Sequence, residues 1–292
     1  MVPTVTDQSR LGEDMDQEAD KAALAAVVDD FHAEGQALYE LMHDADTALW
    51  TQQTTFKQWT IWDVFAHLHF SDHMAMTTLN SAEDFKALLA AMQDRGIQAI
   101  TDEWLATDGR SPNGPDLLER WWRLLEDLCA TLKAADPQER FTWAGPTMKA
   151  RMFATARQME TWAHGWELYD LLDLPRPQSD RLLNIATIGV RTFGWTFANR
   201  GLEVPSQPPH VHLTAPSGAL WEWHAPESGG ATDTITGDAV EFCQVVTQVR
   251  NIADTSLAVR GDVAAAWMAI AQCFAGPPED PPAPGSRAPA RA

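Results

Sequence analysis

Between Asp20 and Leu172 apolar residues return every three or four positions, the spacing of one buried helix face. The first stretch runs from about Asp20 to His43, with Leu24, Val27, Val28, Phe31, Leu38, Leu41 and Met42 in register. The second opens at Thr60, where Thr60 and Asp63 make a capping-box-like start, and runs through His67 towards Leu79. A similar start at Ser81 and Asp84 opens a helix through Leu88, Leu89 and Met92 that continues towards Trp104. Asp116 to Ala134 is a strong helix, with Leu117, Leu118, Trp121, Leu124, Leu125 and Leu128 inward. Another spans about Thr147 to Leu172 and ends before Pro175 and Pro177. Asp44 to Lys57, the turn-rich Asp108 to Pro115 and Asp136 to Pro146 connect these stretches, and four long helices read as a bundle.

After Ser179 the pattern changes. One more helix is expected from about Asp180 to Asn199, followed by strand-like runs at His210–Thr214 and Ala219–His224 around the turn Pro216-Ser217-Gly218. Two strand-turn-helix units follow. Thr234 to Asp238 leads into a helix through Phe242 and Val246, and Leu257 to Asp262 leads into a helix through Trp267 and Ile270. A Gly-Asp pair closes each strand, and its Asp is placed to cap the helix. The fold class is therefore α+β: a disordered segment 1–19, a four-helix bundle over 20–178, a smaller α+β domain over 179–276 and a disordered Pro/Ala tail over 277–292.

A formal net charge of −20 argues against binding nucleic acid or an anionic membrane surface, since both need clustered Lys and Arg. The N-terminus has no apolar run of signal-peptide type, and no stretch is apolar enough to span a bilayer, so a cytoplasmic protein is expected. Cys129, Cys243 and Cys273 lie within apolar helical periodicity and read as buried reduced thiols. No phosphate-binding glycine loop and no nucleophile elbow appear.

The chemistry-bearing residues lie on two of the long helices. Glu160 and His164 are four apart, so both side chains share a helix face with Cβ atoms roughly 5–6 Å apart. A carboxylate and an imidazole held in this way can share a divalent metal ion, and His67 on the second helix is the best third ligand. Two histidines and a glutamate suit Zn²⁺, with Fe²⁺, Ni²⁺ or Mn²⁺ as alternatives. The bland reading is a Glu–His pair on a solvated helix face and a hydrogen-bonded core histidine at 67; spacing alone leaves both open. His69 points roughly 200° away from His67, so one site cannot easily use both, and His73 is expected to be exposed. His210 and His212 share a strand face that reads as half-exposed sheet.

The segment Trp59-Thr60-Ile61-Trp62-Asp63-Val64-Phe65-Ala66-His67-Leu68 resembles the Trp-Thr-x-x-Asp-x-x-x-His-Leu helix of the DinB-like superfamily. More closely, it is similar to the mycothiol-dependent maleylpyruvate isomerase family of actinobacteria. Glu160 and His164, followed by Gly165-Trp166-Glu167-Leu168, resemble that family's second metal motif, where Glu and His join the upstream His on zinc. Ile235-Thr236-Gly237-Asp238 and Val259-Arg260-Gly261-Asp262 are similar to the family's α+β domain, related in shape to sterol-carrier folds.

The resemblance implies metal-assisted chemistry of a low-molecular-weight thiol, mycothiol. It implies an arginine of the second domain that holds a substrate carboxylate, for which Arg250 and Arg260 are the candidates. It implies a monomer or homodimer whose partners are the thiol and a small electrophile. Two features depart from the isomerase pattern: an extra segment around Asp94–Asn113, and bulky aromatics near the metal motifs, Trp62, Trp162 and Trp166. Thiol transfer or exchange onto an electrophile is thus the leading expectation, with cis–trans isomerisation of maleylpyruvate type second. A non-catalytic small-ligand-binding protein with a structural metal is the rival of another class.

Overall fold

A computed structural model describes residues 5–106, 113–227 and 230–287. The chain divides into two compact units, one of Met1–Ala45 with Phe65–Gln158, the other of Asp46–Val64 with Met159–Ala292. The long helices are α1 (Val5–Met42), α2 (Ile61–Asn80), α5 (Gly114–Ala134) and α6 (Ala150–Leu172), with the shorter α3 (Ala82–Arg95) and α4 (Ile97–Leu105) between α2 and α5. The expected mixed class is observed: a helix-rich N-terminal part, and a small sheet in the remainder.

In the first unit, α1 packs along α5, and Gly35 allows the approach. A Cβ there would lie 2.4 Å from Leu125 Cδ1. Leu24, Val28, Phe31 and Leu38 of α1 and Leu117, Trp121, Leu125 and Leu128 of α5 are all buried. A second cluster gathers Phe70 and Met74 of α2, Phe85 of α3 and Ile100 of α4, with Trp104 and Trp143 against it.

Here the structure differs from expectation in three places. The helix predicted from Ser81 towards Trp104 is two helices, because Gly96 takes φ 85 and ends the first. The connector before α6 contains a short hairpin, β1 (Arg140–Phe141) with β2 (Met148–Lys149). α1 continues back to Val5, through residues expected to lack structure. No proline interrupts that stretch, and Asp16 to Lys21 extend it as exposed helix that adds nothing to the core. Most of the predicted 108–115 loop lies outside the described residues.

In the second unit, the helix expected over 180–199 is a 3-10 turn at Asp180–Leu182 followed by α7 (Leu183–Arg191) and α8 (Phe193–Asn199). The four-stranded sheet is β3 (His210–Thr214), β4 (Leu220–Trp223), β5 (Thr234–Asp238) and β6 (Ala258–Arg260), in the order β4-β3-β5-β6. Only the β3–β5 pair is parallel, with Val211 opposite Ile235, both fully buried. The helix α9 (Ala239–Val246) packs close to α7, where a Cβ on Gly189 would meet Val246 Cγ2 at 2.8 Å.

The two Gly-Asp signals have different outcomes. Asp238 caps α9, accepting from the Val240 and Glu241 amides. Asp262 does not cap α10 (Asp262–Met268); the amides of Val263 and Ala264 donate instead to Asp233 Oδ1. Gly261 sits at φ 88 against Asp233, where any Cβ would collide with that carboxylate. Residues 277–287, also expected to lack structure, hold a series of hydrogen bonds and ion pairs. Among the described residues, no helix is long and apolar enough to cross a membrane.

Candidate metal centre

The start of α2 is fixed by its own first turn. Thr60 donates from its amide and hydroxyl to Asp63 Oδ2 at 2.8 and 2.6 Å, and the Asp63 amide returns to Thr60 Oγ1 at 3.2 Å. That reciprocal cap sets the phase of the helix that carries His67. Further along α2, Asp72 is wholly buried and fixes α2 against its neighbours. Arg157 of α6 donates to its Oδ1 from Nε at 3.0 Å and pairs from Nη2 at 2.9 Å, while Trp121 of α5 donates from Nε1 at 3.0 Å. A planar guanidinium on a carboxylate is the most directional ion pair available to side chains. It therefore locks the register of α2 and α6, and Arg157 stands one helical turn before Glu160.

The result is the predicted trio. His67, Glu160 and His164 each offer a ligand atom, and these atoms all lie within 4.8 Å of one another. All three are partly buried. His164 Nε2 stands 3.7 Å from Glu160 Oε2. That exceeds a hydrogen bond and is close to the separation of about 3.4 Å that two ligands show on one tetrahedral zinc with bonds near 2.1 Å. The donor set of two imidazoles and one carboxylate therefore fits a divalent ion of the zinc class. Among the described residues the group has three members, one fewer than the four protein ligands of a structural zinc site.

Aromatic rings flank His164. Trp59 stacks on it with ring centres 5.6 Å apart and planes at 17°, and Phe56 meets it edge-on at 5.2 Å. Two of the three tryptophans singled out from the sequence are placed otherwise. Trp162 and Trp166 are buried against each other in a T-shaped pair, beneath the Arg176 guanidinium, which lies 5.2 and 5.3 Å from the two rings. The rings that touch His164 are instead Phe56 and Trp59, just before the capping box, a position that periodicity does not mark.

One turn beyond His164, Glu167 and Asp170 are joined by two arginines. Arg250, wholly buried, pairs with Asp170 at 2.6 Å, and its guanidinium lies 5.3 Å from the Trp166 ring. Arg287 pairs with Glu167 at 3.1 Å. Burial raises the Glu167 carboxyl to about 7; Asp170 adds to the rise, and Arg287 and Arg250 oppose it. Arg260, the other arginine singled out, is exposed on β6.

The remaining histidines stay outside the trio. His69 is buried on the far side of α2, and burial holds its imidazole down to about 3, in the neutral form. His73, expected to be exposed, is half-buried because Trp104 of α4 stacks on it at 4.3 Å. His210 pairs with Glu222 across the β3–β4 ladder at 2.7 Å. The cysteines are buried as expected, and burial raises all three thiols, Cys129 to about 12.

Comparison with known proteins places this geometry in context. Residues 31–169 match the family described as mycothiol maleylpyruvate isomerase N-terminal domain. An uncharacterised protein of Mycobacterium tuberculosis, present in two strains, is 35% identical over 251 residues, covering 86% of this chain and 96% of the relative. The crystal structure of the mycothiol-dependent maleylpyruvate isomerase is similar at 13% identity with a TM-score of 0.46, covering 78% of this chain and 88% of that one.

Proposed function

This chain belongs to the mycothiol-dependent maleylpyruvate isomerase family, and from that premise we propose that it is a metal-dependent enzyme acting through a low-molecular-weight thiol. The thiol is mycothiol, and the reaction is its transfer or exchange onto an electrophilic small molecule. The observation that carries this reading is the convergence of His67, Glu160 and His164 from two helices, in a family named for mycothiol chemistry. A bound divalent ion would supply Lewis acidity, lowering the pKa of a thiol from its ordinary value near 8.5.

The chain's own residues do the rest. His67, Glu160 and His164 would hold the ion and leave one side for a ligand that the protein does not provide. Trp59 and Phe56 fix the plane of the His164 ring and keep water from its faces. Asp72 and Arg157 keep the two ligand-bearing helices in register. Arg260 is exposed and open to a substrate carboxylate, whereas Arg250 would reach one only by giving up Asp170. Cis–trans isomerisation with the same thiol is the second reading, favoured by the family's name. A non-catalytic role with a structural metal is disfavoured by the three-membered ligand group.

The test is elemental analysis of the purified protein beside His164→Ala, with mycothiol titrated calorimetrically into both. One zinc-class ion per chain is expected in the wild type. The variant should bind it at least about a hundredfold more weakly, with thiol binding lost in parallel. A folded wild type that takes up no metal and ignores the thiol would overturn the proposal. Product analysis then separates the two enzyme readings, since transfer leaves the thiol in the product and isomerisation returns it.

A further inference from the structure

The turn that presents Phe56 and Trp59 to His164 is costly by itself. Lys57 and Gln58 are consecutive residues at φ 48 and φ 59, in the left-handed region that side chains with a Cβ rarely adopt. The turn is closed by hydrogen bonds from the Thr54 amide to Trp59 O at 2.7 Å and from the Trp59 amide to Phe56 O at 2.8 Å. Two successive left-handed non-glycine residues persist only where the surroundings over-determine them.

Those surroundings include a distant segment. Lys57 Nζ meets both oxygens of Glu279 at 3.0 Å, and the Arg287 guanidinium lies 5.1 Å from the centre of the Phe56 ring. The segment between these two contacts is tied down along its length. Gln248 donates to Glu279 O at 2.8 Å, Asn251 donates to Pro282 O at 2.8 Å, and the Gly285 amide donates to Asp254 at 2.8 Å. Arg287 itself is buried, donating to Val249 O at 3.1 Å and pairing with Glu167.

We infer that residues 277–287 form a strap that locks the Phe56–Trp59 turn against His164, so that a segment far beyond the end of α6 at Leu172 completes the wall beside the metal ligands. The strap works through Phe56, the residue before the left-handed pair, and Lys57, its first member. Arg287 is a positioning residue: its contact with Phe56 fixes the ring that fixes His164. The inference deepens the proposed function, on which its consequence for access rests, because the bulk of any ligand admitted beside His164 is then limited by the strap.

Hydrogen exchange read by mass spectrometry on the full chain tests it, comparing wild type with Arg287→Gln and Lys57→Ala. Amides of residues 54–60 are expected to exchange about tenfold faster in Arg287→Gln and about threefold faster in Lys57→Ala, with α5 unchanged. Equal protection of 54–60 in wild type and both variants overturns the strap. If Arg287→Gln unfolds the protein by stranding Glu167, the double variant Glu167→Gln with Arg287→Gln removes both charges and is read in the same way. Zinc-loaded strap variants should also release metal to 1,10-phenanthroline faster than wild type. Faster exchange without faster release would overturn the role in access. A chain that takes up no zinc would count against the proposed function alone, leaving the exchange data to decide the strap.

Discussion

Three arginine–carboxylate pairs involve α6, and they are built differently. Arg157 and Asp72 are 2% and 0% exposed; the guanidinium reaches one carboxylate oxygen through two nitrogens, and the Trp121 indole takes the other. Both carboxylate oxygens are satisfied by helices packed within the same unit. The pairs at Glu167 and Asp170 are less complete. Glu167 Oε2, Asp170 Oδ2, Arg250 Nε and the neighbouring Trp166 Nε1 are buried without a hydrogen-bond partner among the described residues, against Arg157 Nη2 at the first pair. Their arginines come from the turn after α9 and from the strap. The first pair is a rigid fixture, and the other two form a joint whose loose ends carry a standing desolvation cost. The first lies one turn before Glu160 on α6, and the others one and two turns after His164.

The largest effect should come from breaking the rigid pair. Arg157→Met leaves Asp72 as an uncompensated buried charge, and urea unfolding should show a loss of about 3–5 kcal/mol. Asp72→Asn with Arg157→Met should recover much of that loss, because an amide can be buried without a counter-charge. If Arg157→Met unfolds at the wild-type midpoint, the pair does not hold the register of α2 and α6.

The loose pair should reveal itself through pH. Glu167 titrates at about 7 in the folded chain against a reference of 4.5. A raised carboxyl means that between those values the folded chain keeps a proton that the unfolded chain has lost. Stability is then fully present below about 4.5 and is lost as pH rises through about 7, at up to about 1.4 kcal/mol per pH unit. Glu167→Gln should flatten that slope. Denaturation midpoints at pH 5 and pH 7.5 check it, and a variant with the wild-type slope would show that Glu167 is ionised throughout.

The same contrast explains what was legible in the sequence. Contacts between residues a few positions apart leave a pattern. Helical periodicity marked the faces of α2, α5 and α6, alternation marked β3 to β5, and Glu160 and His164 announced themselves as an i, i+4 pair. The third member of the trio, His67, was legible because a capping box beside it phases its helix. Contacts between distant residues leave none. Trp104 covering His73 depends on a chain reversal at Gly96, a residue that helical patterns tolerate. Arg287 lies in a Pro/Ala-rich stretch whose composition argues for disorder, so neither its burial nor its hold on Glu167 and Phe56 could be read. Asp72 and Arg157 were passed over because polar residues on amphipathic helices are usually solvated.

The smallest effect sharpens the comparison at the level of helix caps. α2 is capped by its own Thr60 and Asp63, whereas α10 is capped by Asp233, about thirty residues upstream. Asp233→Ala removes the acceptor of two amides and should cost about 1 kcal/mol, while Asp233→Asn keeps an acceptor and should cost less. Gly261→Ala should exceed both, because it forces a Cβ onto the Asp233 carboxylate at a backbone angle that favours glycine. Thermal unfolding of the three variants gives the order. If Asp233→Ala proves silent, Asp262 takes over the cap once its rival is gone, and the cap is more local than this structure shows.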